Sequence, residues 1–372
     1  MSEGTVRPDA GEGGHRDDGP PRARGRLTRA AIHLVDRTPD WLEKYQVPIA
    51  LLGILGGVAS YWFIDRQPGL AAGIAMATLA GWALLLLEAL VLSSLPDTRW
   101  GRAGTGMFQL TLQTIHQEAL FFVVTFAVLS THWRSGQIAF TGLIIALTAI
   151  ASIDPIYHLT LARSRIALLC FHALTMFLCG FMALPIAFQE PLDEALLYSI
   201  GFSMLATWPL LFRVTSGSRR RRAAQTTLIV ASICVGLWTS RSLLPPMSTK
   251  LEDAAISRGF DLAAKEPIGA SASFATSELG DAGLYAYTPI RAPLGLNQGV
   301  IHEWRLGGEL IDSIPMEITG GRQLGFRAWS HKLNFPDRPE GDWTVTVRTP
   351  RGIVLGSVAF RVVGAPSPDP GG

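Results

Sequence analysis

Apolar blocks dominate the chain from Val47 to Leu244, broken by short polar intervals. Each block approaches the roughly 20 residues that a helix needs to cross a bilayer. Their limits predict about seven spans: Val47–Ile64, Gly69–Leu92, Met107–Ser130, Gln137–Tyr157, Ile166–Phe188, Glu194–Phe212 and Thr226–Leu244. Beyond Leu284 the period changes to two. Trp343, Val345 and Val347 alternate with Thr344, Thr346 and Arg348, and Val354, Val358, Phe360 and Val362 share a face. Gly307-Gly308, Gly320-Gly321 and Thr349–Gly352 punctuate this region as turns between strands.

The fold class that follows is a membrane all-α domain of about seven transmembrane helices with a C-terminal all-β immunoglobulin-like sandwich. Residues 1–44 read as a disordered, basic, cytoplasmic tail, and 45–246 as the membrane domain. Residues 247–283 read as an amphipathic helix and linker, 284–364 as an extracytoplasmic β-sandwich, and 365–372 as a second disordered tail. The amphipathic helix is inferred from Leu251, Ala254, Ala255, Phe260, Leu262 and Ala263, ending before Pro267.

Charge adds a direction. Arginines crowd ahead of the first block, and the intervals between blocks alternate between few cations and several. Arg66, Arg134 and the cation-free Gln189–Asp193 mark the poor intervals; Arg99 with Arg102, Arg163 with Arg165, and Arg213 with Arg219–Arg222 mark the rich ones. The positive-inside rule then puts the N-terminus in the cytoplasm and the sandwich outside the membrane. Several tryptophans (Trp62, Trp100, Trp133, Trp208, Trp238) fall near predicted span ends, where an amphipathic ring prefers the headgroup zone. The net charge of +2 argues against a dedicated nucleic-acid binder. Cys170, Cys179 and Cys234 all lie in apolar blocks, so the sandwich has no disulfide staple. The N-terminus lacks the apolar core of a cleavable signal peptide, so no processing is expected.

Two resemblances emerge. Thr288-Pro289-Ile290, His302-Glu303-Trp304, Gly320-Gly321-Arg322, Gly325–Ser330 and Gly341-Asp342-Trp343 resemble a bacterial family known as domain of unknown function 2914. Gln113–Phe122, Asp154–Tyr157 and Ala183-Leu184-Pro185 resemble domain of unknown function 5924, to which the former is found fused. The resemblance implies an architecture and no activity.

Candidate chemistry lies in two places. In the third predicted span Gln109, Gln113, His116 and Gln117 fall on one stripe of the helix, with Glu118 opposite. Asp154 and His172 sit at the cytoplasmic half of neighbouring spans. Such a set can be polar glue between helices, a proton or ion path, or the site of an intramembrane enzyme. No metal-binding spacing, catalytic triad or phosphate loop accompanies it, and no cofactor or metal is expected. In the outer domain Arg327, Trp329 and His331 share a strand face. With His302, Trp304 and Arg322 they form a candidate surface for an envelope polymer or a membrane-protein partner. A tryptophan on a sandwich strand is usually core, which is the expectation for Trp329 as well as Trp343, and His302 and Trp304 carry the same ambiguity. The reading is a bilayer-embedded, non-enzymatic binding protein, with a proton-coupled transporter or an intramembrane enzyme as alternatives.

Overall fold

The computed structural model describes residues 99–364 apart from 154, 155, 158–160, 162, 163, 281 and 323, together with Leu55; side chains of the main body are described from Leu112 onward. The predicted spans Val47–Ile64 (apart from Leu55) and Gly69–Leu92, the terminal segments 1–44 and 365–372 with their expected disorder, and Asp154 lie outside the described residues. Five helices form the first part: α1 (Arg99–Ser130), α2 (Gln137–Ser152), α3 (Arg165–Phe188), α4 (Leu192–Val214) and α5 (Arg219–Thr239). They run alternately toward and away from the β-domain that follows.

Among the described residues three helices, α1, α3 and α4, are long and apolar enough to cross a membrane. This is fewer than the expected number, and the reasons differ. α2 is only 16 residues, or about 24 Å at 1.5 Å per residue, shorter than a bilayer core. α5 opens on four arginines from Arg219 and stops at Thr239, short of the expected end at Leu244. The α3–α4 contact is close. A Cβ on Gly180 would stand 3.0 Å from Ser199 Oγ, and small residues of this kind let helix backbones approach.

The β-domain has two five-stranded sheets. One contains β1 (Lys250–Leu251), β2 (Ala255–Asp261), β3 (Glu266–Ala270), β5 (Leu284–Arg291) and β8 (Phe326–Lys332). The other follows the order β4-β10-β9-β6-β7, formed by Ser273–Ala275, Val354–Val363, Gly341–Arg348, Asn297–Leu306 and Glu309–Thr319. All pairings are antiparallel except β4 with β10. Ile256, Leu284 and Ala286 from the first sheet meet Phe274, Trp304, Trp343, Val345, Phe360 and Val362 from the second in one buried core. The β6–β7 turn is Gly307-Gly308 with φ +56° and +93°, positive at both central positions as a type I′ hairpin requires. Gly352 at φ +98° closes the β9–β10 turn by donating to Thr349 O at 2.9 Å.

Residues 247–283 are corrected by this structure. They form β1 to β4 and a single helical turn, α6 (Thr276–Leu279), in place of an amphipathic helix and linker. Leu251 pairs with Ile290, and Ala255, Ile256 and Ser257 pair with Tyr287, Ala286 and Tyr285. These long-range ladders outweigh a local spacing that contains Gly259 and Pro267, both poor helix residues. Phe274, within the expected linker, is buried.

The bundle and the β-domain share one continuous core. Leu237, Leu244 and Met247 join Ile290, Leu296, Val347, Ile353 and Leu355 in the same apolar cluster as the helices. Polar bonds reinforce it. Gln137, first residue of α2, donates through Nε2 to Val354 O at 2.7 Å and to Leu244 O at 3.3 Å. Gln298 Oε1 accepts from Leu192 N–H at 2.7 Å at the start of α4. Arg351 pairs with Glu194 at 3.2 Å.

Candidate functional site

Inside the bundle, the third-span stripe is partly assembled. Gln113 and His116 on α1 are buried, and Gln113 Nε2 donates to Ala151 O at the end of α2 at 3.2 Å. His116 is the centre of a chain of rings. Its Nδ1 lies 3.2 Å from Tyr157 Oη, and its Nε2 lies 3.1 Å from His172 Nδ1 on α3. With both imidazoles neutral the bonds are self-consistent: Tyr157 donates to His116 Nδ1, and His116 Nε2–H donates to His172 Nδ1. Phe171 packs edge-on against both His116 and Tyr157, with ring centroids 5.2 and 6.4 Å away. Gln117 is half-buried and Glu118 is exposed on the other side of the helix; the side chain of Gln109 lies outside the described residues. Tyr157, which completes the chain, was not among the expected candidates. The signal for it was a tyrosine ending an otherwise apolar block.

The cluster is one-sided. His116 lies 14 residues before Ser130, about 21 Å of helix from the end that meets the β-domain. That interval is filled by Leu120, Val123, Phe126 and Ala127 with Ile144, Phe177, Phe181 and Met182 around them. The buried hydroxyls of Thr125, Thr148 and Thr175 bond back to Phe121, Ile144 and Phe171 carbonyls of their own helices. Among the described residues no group of three or more His, Cys, Asp or Glu side chains could hold a metal ion.

The candidates in the β-domain divide into two sets. His302 and Trp304, for which the sequence left core and ligand surface both open, are fully buried between the sheets. His302 Nε2 and Nδ1 each lie 2.8 Å from a hydroxyl, of Thr288 and Ser330, and Trp304 Nε1 donates to Ser330 Oγ at 3.3 Å. Burial alone brings the His302 pKa down to about 4, so the ring is a neutral bridge between sheets. Next to it in sequence, burial pushes the Glu303 carboxyl up, but the guanidinia of Arg348 and Arg305 more than offset this and hold it below the usual range. Arg322 is exposed and sits 4.9 Å over the Phe326 ring, on the face of β8 opposite Trp329.

Arg327, Trp329 and His331 do share the outward face of β8, and Trp329 is 37% exposed rather than core. Three rings that sequence reasoning missed complete the face. Tyr285 on β5 stacks on His331 with centroids 3.9 Å apart and planes within 6°. Phe260 on β2 lies 5.0 Å from Trp329 and 5.9 Å from both Tyr285 and Tyr287. In the sheet β5 separates β8 from β2 and β3, yet Arg327 donates to Ala264 O and reaches Glu266 at 4.0 Å. The β2–β3 hairpin therefore curls across the outer face, and Phe260 rests on its rings. The result is an aromatic shelf with a cation at one edge. Such a shelf can stack on sugar rings, and its guanidinium can meet an anionic substituent.

Two family models match the chain. The one described as "Family of unknown function (DUF5924)" matches residues 28–286, and the one described as "Protein of unknown function (DUF2914)" matches residues 297–362. No curated protein and no solved structure matches it. The boundary between the two models falls inside the β-domain, so β1 to β4 and the start of β5 belong to the first and β6 to β10 to the second. Because the first model spans more than half of the 372 residues, the chain belongs to the DUF5924 family and carries a DUF2914 domain at its C-terminal end.

Proposed function

We propose that this protein is a membrane-anchored recognition module whose β-domain binds a polymer or partner of the cell envelope on the aromatic shelf. The observation that carries this reading is Trp329, exposed and flanked by Tyr285, Tyr287, Phe260, His331 and Arg327, on a domain bonded rigidly to the bundle. Rigid mounting favours a binding role because little orientational freedom is lost when a ligand docks.

The domain's plan suits this use. In one sheet the order β10-β9-β6-β7 follows the G-F-C-C′ order of a variable-type immunoglobulin sandwich, and Trp304 on β6 takes the place of its strand-C tryptophan. Charge supports one side of the membrane. α4 leaves the β-domain at Leu192 and ends at Val214, so the turn carrying Arg213 and Arg219–Arg222 lies at the bundle's far end. The loops touching the β-domain, Thr131–Gly136 and Gln189–Asp193, carry only Arg134. The positive-inside rule then favours a β-domain outside the cytoplasm.

The test is capture of immobilised envelope glycans, anionic and neutral, by the full chain in detergent. Binding to at least one glycan that Trp329→Ala reduces about tenfold, the scale of one lost stacking contact, supports the proposal. Binding that survives Trp329→Ala and Tyr285→Ala, or no binding to any glycan, removes it.

A second reading, a proton path, draws on the Tyr157–His116–His172 chain. The apolar interval between that chain and the β-domain weighs against it, since a path needs polar partners on both sides. Proteoliposomes containing the full chain should show no proton leak above empty vesicles, while His116→Leu lowers the thermal unfolding midpoint. Flux that vanishes in His116→Leu would restore the transport reading.

A further inference from the structure

At the bundle's far end, the start of α3, the end of α4 and the first turns of α5 enclose an open cleft of about 590 Å³. Ile166, Val214, Leu228 and Ile229 are its apolar lining, and Arg221, Gln225 and the turn residues Thr215, Ser216 and Gly217 complete it. Along α5 the residues Arg221, Gln225, Leu228 and Ile229 follow i, i+4, i+7 and i+8 spacing, which is one helix face. Descending that face, a guanidinium comes first, an amide about 6 Å deeper and apolar side chains about 10 Å deeper. This is the order of phosphate, glycerol ester and acyl chain in a phospholipid seated at a membrane interface.

Among the described residues nothing compensates the charge in the cleft. Residues 213–225 contain no carboxylate, and among the described residues no ion pair engages Arg219, Arg220 or Arg221. Arg222 is committed elsewhere, donating to Phe212 O and lying 4.5 Å over the Phe212 ring. Leu228 is 69% exposed, an apolar wall with none of the described residues across it. We propose that the cleft binds an anionic phospholipid, its phosphate on Arg221 and Gln225 and one acyl chain along Leu228, Ile229, Val214 and Ile166. The site rests on the reading of α3 and α4 as membrane spans and is independent of the aromatic shelf.

The experiment uses the full chain, purified in mild detergent and exchanged into micelles with equal phosphatidylglycerol and phosphatidylcholine, with retained lipid counted by native mass spectrometry. Phosphatidylglycerol should be retained in preference, and Arg221→Gln should reduce it about tenfold, the cost of one charge-assisted bond. Arg220→Gln, outside the cleft lining, should leave retention unchanged. Leu228→Trp, which fills the cleft and leaves the charge intact, should also expel the lipid. Unfolding midpoints within a degree or two of the parent show that the exposed-site variants are folded. Equal retention of the two lipids, equal effects of Arg220→Gln and Arg221→Gln, or full displacement by millimolar inorganic phosphate would each overturn the assignment: the first two leave only diffuse charge, the third a free-anion site.

Discussion

Asp193 in the first turn of α4 accepts a 2.5 Å hydrogen bond from the Thr349 hydroxyl at the β9–β10 turn, joining bundle and β-domain across 156 residues of sequence. Its second oxygen accepts from Arg351 N–H at 2.9 Å, and Thr349 Oγ1 in turn accepts from Ile353 N–H at 3.1 Å. One carboxylate thus organises the whole turn and fixes it to the helix.

Asp193→Ala should therefore cost about 3 kcal/mol, because it removes two bonds to a charged acceptor and leaves the Thr349 hydroxyl and the Arg351 amide without it. Thr349→Ala should cost less, and the double variant less than the sum, with a coupling of about 1–2 kcal/mol. Thermal unfolding of the four proteins in one detergent measures the cycle. Strict additivity would mean the bond contributes nothing across the interface.

The family boundary inside the β-domain leads to a second expectation. A fragment of residues 284–364 keeps β5 to β10 and loses β1 to β4, including Ile256 and Phe274 from the core that holds Trp304 and Trp343. It should show no cooperative unfolding transition. A fragment of residues 247–364 restores that core but uncovers Leu296, Val347, Ile353 and Leu355, which the bundle covers in the full chain. It should fold and self-associate, visible as a concentration-dependent elution volume.

Much of this architecture was legible, and the failures in the β-domain share one cause. Period two over Trp343–Val347 is borne out because both neighbours of β9 lie in the same sheet, so one face meets the core: all three side chains are fully buried. Gly307-Gly308 was readable because only a type I′ turn needs two consecutive positive φ values. Residues 250–275 were misread because their partners, Tyr285 to Arg291, are remote in sequence and local spacing carries no trace of them. His302 and Trp304 stayed open between core and surface for the same reason. Polar rings look like surface until Ser330 and Thr288, contributed by other strands, supply their bonds. In the bundle, Gln113 and His116 were visible from helical phase, whereas Tyr157 joins them only through tertiary packing.

His302 gives a pH dependence with a definite sign. Folded, the ring stays neutral down to about pH 4; unfolded, it takes a proton near its ordinary 6.5. Between these values the unfolded chain binds more protons, so stability falls as pH falls from 6.5 toward 4 and is flat above. The full span corresponds to about 3 kcal/mol at 1.36 kcal/mol per unit. Glu303, held below its ordinary 4.5, also loses stabilisation on acidification, but only below that value. His302→Gln should make the curve shallower between pH 6.5 and 4.5 by one proton's share, while His132, whose pKa burial also lowers, keeps contributing there. The steeper acid limb should remain. A variant curve parallel to the parent over that interval would place the titrating group elsewhere.

The orientation of the β-domain decides which ligands can reach the aromatic shelf, and a single introduced thiol can read it. Ser271 is exposed, and its hydroxyl bonds only to the neighbouring Ser273 backbone, so Ser271→Cys should leave the fold intact. The native thiols Cys170, Cys179 and Cys234 all lie on helices and are replaced first. In intact cells an impermeant maleimide should then label the Ser271→Cys variant to the same extent as after lysis. That outcome matches the far-end cluster of Arg213 and Arg219–Arg222 facing the cytoplasm, where cations near span ends are retained. Labelling only after lysis would invert the whole unit, because the β-domain is bonded to the bundle through Gln137, Asp193 and Gln298 and cannot change sides alone. The shelf would then face the cytoplasm and its ligand would have to be sought there. The lipid cleft would move to the outer leaflet, yet its chemistry would still call for an anionic headgroup.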